Sequence, residues 1–329
     1  MKQIVILATG GTIAGAAPDP RQTAGYRAGA LPIQSLMAAL PDLGGLATVA
    51  GEQLYAIDSK DIAEEHWLIL ARRVGELAAD RQVDGIVVTH GTDTLEETAY
   101  FLNLVVRTDK PVVLVGAMRP ATALSADGPM NLYAALRTAA ADGARGQGVL
   151  VVMNDQISAA REVTKRHAGN VATFGPGEFG FLGEVGPAGP VFYRSPTRRH
   201  TTASAFDIAA IDRLPAVEIV YGHAGMSPLF VDAAIAGGVA GLVYAGTGDG
   251  TIHQAVLASL VAARAAGIAV VRASRTGGGR VVAGAALDDA GLDFVAADTL
   301  NPQKARVLLQ LGLTQGSARA RLQHLFDTH

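Results

Sequence analysis

No cysteine occurs anywhere in the chain. That absence excludes disulfides, thiolate-bound zinc, iron–sulfur clusters and a cysteine nucleophile. Charge is scarce too. With 27 Lys and Arg against 30 Asp and Glu, the formal charge is −3, which gives nucleic acid or an anionic membrane no surface to prefer. The eight histidines show no H-E-x-x-H spacing, and no metal is expected. No apolar run reaches the ~20 residues that span a bilayer, so no membrane segment is expected. The opening "MKQIVILATGG" reads as a strand and turn without a basic-then-apolar leader. A cytoplasmic setting is expected, or a periplasmic one if a signal peptide has been removed.

What remains is a chain of 329 residues, too long for one ordinary core, half apolar and rich in glycine. Strand-like runs at 3–8, 84–89, 111–115 and 148–153 alternate with helix-like stretches at 62–79, 95–106 and 130–141. Continuous apolar strands between helices predict a parallel sheet covered on both faces. Pro129, after "SADG", predicts a helix start. The polar, basic stretch 193–214 breaks the pattern and reads as a linker; its Arg198, Arg199 and His200 could alternatively form an anion site. A second α/β pattern follows, with strands near 216–221, 241–244 and 268–272 and helices near 228–236 and 253–266. "LNPQKARVLLQLGL" starts a further helix, with Asn301 as cap and Pro302 in the first turn. The predicted organisation is a larger N-terminal α/β domain at 1–192, the linker at 193–214 and a smaller C-terminal α/β domain at 215–329.

Ligands of open parallel sheets bind beyond the carboxyl ends of the strands. Two such turns carry unusually many hydroxyls. "LATGGTIAG" follows the first strand, but a G-x-G-x-x-G register fails at Thr12 or at Ile13, which disfavours a dinucleotide. The glycine- and proline-rich stretch after it, with Tyr26, reads as a mobile lid. The second turn is "VVTHGTDTLEE". Asp93 with Glu96, or Thr94 with Glu97, fits a helix capping box. Capping needs only one or two of these residues. A threonine beside a carboxylate at a strand end can also work on a bound substrate, provided a base activates it. Lys165 and Arg166 in "REVTKRHAG" are candidate bases.

Taken together, "ILATGGTIAG", "VTHGTDTLEETAYFL", "VGAMRP", "SADGPMNL", "REVTK" and "LNPQKARVLLQLGLTQ" resemble the bacterial L-asparaginase family, close to its type II branch. The likeness runs nearly end to end. It implies two α/β domains, the C-terminal one flavodoxin-like, a homotetramer built of intimate dimers, no cofactor, and hydrolysis of the side-chain amide of asparagine or glutamine. By that resemblance Thr12 is the nucleophile, with Tyr26 beside it. Thr92 activates water, Lys165 polarises Thr92, and Asp93 holds the substrate's α-amino group. Ser59 and the Gly91 backbone take the α-carboxylate, and the Ala117 carbonyl accepts from the amide.

Three positions depart from the family pattern. Lys60 stands where Gln or Glu is usual, and Asp249 replaces the asparagine of a "GNG" turn. Ala286 falls where the family has a glutamate contributed by a neighbouring subunit. Asp249 is read as restoring that charge and Lys60 as balancing it through an ion pair, while Asp288 and Asp289 are read as facing solvent. Asp249 before a glycine equally fits an ordinary turn. The competing functions are a dual glutaminase–asparaginase, which sequence alone does not separate from an asparaginase, and a non-catalytic amino-acid binder on the same scaffold.

Overall fold

In the computed structural model, which describes all residues except Asp42 and Gly44, the apolar runs become strands buried on both faces. The first unit, Met1–Ala210, begins β1 (Lys2–Gly10), α1 (Ile33–Ala38), β2 (Ala47–Ile57), α2 (Glu64–Ala79), β3 (Gly85–Thr89), α3 (Leu95–Val105) and β4 (Val112–Val115). It continues with α4 (Gly128–Ala140), β5 (Val149–Met153), β6 (Gln156–Ala159), β7 (Thr164–Lys165), β8 (Phe174–Gly175), β9 (Gly183–Gly186) and β10 (Gly189–Phe192). Its large sheet runs β10-β9-β6-β5-β4-β3-β1-β2. β2 through β5 are parallel, but β6, β9 and β10 pair antiparallel. The expected parallel sheet is present from β2 to β5, and an antiparallel extension is added to it: β5 turns directly into β6 through Asn154 and Asp155, both at positive φ, so no crossover helix is needed.

The order 2-1-3-4-5 reverses direction between β1 and β3, and their registers bring Ala8 opposite Thr89. The turns that follow the two strands therefore emerge side by side, at the place where open α/β sheets bind ligands. Helix packing behind the sheet is largely apolar, with buried polar ties among it: Trp67, the only tryptophan, donates from Nε1 to Thr98 Oγ1 at 2.8 Å and stacks on Phe101 at 5.2 Å. Most of the 193–214 stretch fastens to this unit. Thr201, Phe206 and Ile208 are buried, and Arg107 donates to the carbonyls of Thr202 and Ser204.

The second unit, Ile211–His329, contains β11 (Val217–Tyr221), α5 (Leu229–Ala236), β12 (Gly241–Gly246), α6 (Gln254–Ala265), β13 (Ala269–Ser274), β14 (Val295–Ala296), α7 (Pro302–Leu313) and α8 (Arg319–Thr328). Its four strands are parallel in the order β11-β12-β13-β14. Asn301 caps α7 by accepting from the Lys304 N–H at 3.0 Å, with Pro302 in the first turn, as the sequence predicts. Asp289 does not face solvent. It is fully buried and accepts bidentately from Arg272, at 2.6 and 2.7 Å. No helix among the described residues is long and apolar enough to cross a membrane.

Candidate active site

β1 ends in Gly10, and Gly11 follows it, at φ of 107° and 77°. A Cβ on Gly11 would lie 2.2 Å from Gly91, in the turn after β3, so the two backbones touch where only glycine fits. A single 3-10 turn, Thr12–Ala14, follows and holds Thr12 nearly buried. The loop beyond it closes on itself through paired backbone bonds between Ala16 and Arg27. Tyr26, on that loop, reaches back so that its Oη lies 2.6 Å from Thr12 Oγ1. The stretch read as a lid is thus in place over the first threonine.

Across the Gly11–Gly91 contact stands the second set. Lys165 Nζ donates to Thr92 Oγ1 at 3.0 Å and to Asp93 Oδ1 at 2.6 Å. That leaves the Thr92 hydroxyl proton free to point elsewhere. The Asp93 N–H donates to Ser59 Oγ at 3.1 Å, and Thr94 Oγ1 donates to the Ser59 carbonyl at 2.8 Å. The capping-box expectation is corrected here: Thr94 is the cap position of α3 but makes no side-chain cap, its hydroxyl being engaged by Ser59. Glu96 turns away to accept from Thr164 Oγ1 at 2.8 Å and from the Lys165 N–H at 3.2 Å. It thereby fixes the two-residue strand that carries Lys165.

Thr12, Tyr26, Thr92, Asp93 and Lys165 line one open cleft of about 650 Å3. Ser59, Gly91 and Ala117 are buried close behind it. Lys60 points outward, pairing with Asp61 at 2.6 Å and Asp58 at 3.1 Å. Asp249 belongs to the second unit, where its Oδ1 accepts from the Val282 N–H at 3.0 Å and its carbonyl accepts from Arg272. Ala286 is exposed. Arg166 lies against Gly175, and His200 packs on Gly148, where burial lowers its pKa.

Two features of the electrostatics bear on chemistry. Burial, together with the charges of Asp93, Asp58 and Asp127, pushes the Tyr26 phenol above its ordinary value, although the Thr12 hydrogen bond works against this. Tyr26 is therefore neutral at neutral pH. His90 is wholly buried, which lowers it to about 4, and its Nδ1 faces the Gly91 carbonyl at 2.7 Å. A neutral imidazole must donate from Nδ1 there, which fixes the peptide between Gly91 and Thr92.

Sequence reading missed Asp58 and Arg119 in the cleft wall, the Glu96 anchor, His90, and Asp127, whose carboxylate accepts from the Met118 and Arg119 N–H groups at 2.9 Å. Asp127 had a usable signal, since it directly precedes a helix start, but it secures the turn after β4 instead of capping α4.

Comparison with known proteins follows the same two units. The family profile described as asparaginase, N-terminal matches residues 3–198, and that described as glutaminase/asparaginase C-terminal domain matches 216–326. L-asparaginase 2 of Escherichia coli is 46% identical over 329 residues, covering 100% of this chain and 94% of the other. The glutaminase-asparaginase of Pseudomonas fluorescens is 46% identical, covering 99% and 90%. The solved structure of a probable cytoplasmic L-asparaginase from Campylobacter jejuni superposes with a TM-score of 0.97 at 44% identity, covering 100% of both chains.

Proposed function

The chain belongs to the asparaginase family, and from that premise and the cleft's geometry we propose that it hydrolyses L-asparagine to L-aspartate and ammonia, with Thr12 as nucleophile. The observation that carries this reading is the convergence of two hydroxyl systems, Thr12 with Tyr26 and Thr92 with Lys165 and Asp93, on one cleft. Thr12 Oγ1 attacks the amide carbon, and backbone N–H groups of the two turns receive the developing oxyanion. The C–N bond breaks, and the proton from Thr12 ends on the departing nitrogen. Tyr26, held neutral, passes that proton along without carrying a resident charge. Water held by the Thr92 hydroxyl then attacks the β-aspartyl ester, the C–O bond breaks, and Thr12 regains a proton. Lys165 donates to Thr92 Oγ1 and polarises it for this step.

Asp93 receives the substrate's α-ammonium, while Ser59 and the Gly91 backbone receive its α-carboxylate. The Ala117 carbonyl accepts from the amide nitrogen. Likeness to a protein named glutaminase-asparaginase favours a second reading in which glutamine is also hydrolysed. One methylene is discriminated by only roughly 1–3 kcal/mol, so both amides fit one design. We place the protein in the cytoplasm, as a homotetramer of intimate dimers in which Asp249 completes a neighbouring copy's site. Exposed Tyr221, Leu229 and Phe230 on the second unit suit such assembly. The test is ammonia release from L-asparagine and L-glutamine by the wild type and Thr12→Ala. Fast release lost in the variant supports the reading, and a folded, inert wild type refutes it.

A further inference from the structure

Asp58 lines the cleft yet takes no part in the steps above. We propose that Asp58 is a second carboxylate for the substrate's α-ammonium, and so a determinant of specificity for α-amino acids over otherwise identical acids without the amino group. This deepens the amidohydrolase reading and rests on the same cleft.

Asp93 is already committed. Lys165 Nζ stands 2.6 Å from its Oδ1 and is only 17% exposed. Within its own subunit, an ammonium held only by Asp93 would sit beside that lysine and share one carboxylate with it, whatever a neighbouring copy's Asp249 adds. A cation taken out of water needs fuller compensation than that. Asp58 is differently placed. Its partner Lys60 is 60% exposed, lies 3.1 Å away, and has a shorter bond to Asp61 at 2.6 Å. Exposed pairs of this kind contribute little, so Asp58 can turn to a ligand while Lys60 keeps Asp61.

The chain also puts the two carboxylates on adjoining turns. Asp58 follows β2 and directly precedes Ser59, whose Oγ accepts from the Asp93 N–H. Asp58, Asp93 and Tyr26 line the same cleft.

The experiment compares L-aspartate with succinate, which lacks only the amino group, by calorimetric titration of the full-length wild type, Asp58→Asn and Asp58→Glu. In Asp58→Asn the Kd for L-aspartate is expected to rise about tenfold, with succinate changed less than about twofold. Asp58→Glu keeps the charge and is expected to restore most of the preference. The KM for asparagine should rise with the aspartate Kd, with a much smaller change in kcat. Equal weakening of both ligands, or no weakening of either, overturns the proposal. Its failure is separable from that of the hydrolytic reading. A wild type that releases no ammonia but prefers aspartate through Asp58 loses the hydrolysis and keeps the contact. Normal hydrolysis with an Asp58→Asn that matches the wild type loses the contact alone.

Discussion

Burial of His90 has a thermodynamic sign. Its imidazole is lowered from 6.5 to about 4 by desolvation, so the unfolded chain takes up the proton first as pH falls. Stability is full above pH 6.5 and declines between 6.5 and 4, by about 3 kcal/mol for this group. Urea midpoints measured across that window should fall with pH, and His90→Gln should flatten the slope. Lys165 bears on turnover instead. Lys165→Met removes both the donor to Thr92 and the partner of Asp93, and ammonia release should show kcat reduced about 10²-fold or more. Thr12 and Thr92 stand out in the sequence as hydroxyls in turns that follow apolar strand-like runs, while the roles proposed for them, for Asp93 and for Lys165 come from the family resemblance. Asp58, His90 and Glu96 were not. Their roles depend on partners that only folding supplies, such as Glu96 reaching Thr164.

Among elements, β7 is the one on which the chemistry leans hardest, and it is two residues long. Glu96 holds it through the Thr164 hydroxyl and the Lys165 N–H. Glu96→Ala should therefore lower kcat about tenfold or more with little change in KM, while Glu96→Gln, whose side-chain carbonyl can accept the same bonds, should retain most of it. Initial rates on asparagine decide this, with a thermal midpoint confirming folding. The α7 cap is a milder case: Asn301→Ala should destabilise by about 1 kcal/mol in denaturant titration. The fully buried strands β3, β4 and β5 announce themselves as apolar runs. β2 does not, because it is an edge strand and most of its residues are partly or fully exposed, so "ATVAGEQLYAI" carries no continuous apolar signal. The antiparallel β9 and β10 are short and glycine-containing, which hides them in the same way.

At the scale of the whole molecule, all five groups proposed for chemistry fall in Met1–Ala210, while Asp249 lies in Ile211–His329. Two α/β patterns separated by a polar stretch were readable from composition. That most of the stretch folds onto the first unit was not, because Phe206 and Ile208 are too few to announce a buried face. If Asp249 completes a neighbouring copy's site, specific activity should fall on dilution below the range where sedimentation shows assembly; constant activity per chain would sink that role. A last consequence is optical. Trp67, stacked on Phe101 inside the first unit, is the chain's sole indole. Emission excited selectively at tryptophan thus follows the melting of that unit alone, whereas far-ultraviolet dichroism follows both. Where the two curves part, the units melt separately; where they coincide, they melt as one. The second unit stays dark in the first signal until a tryptophan is placed there.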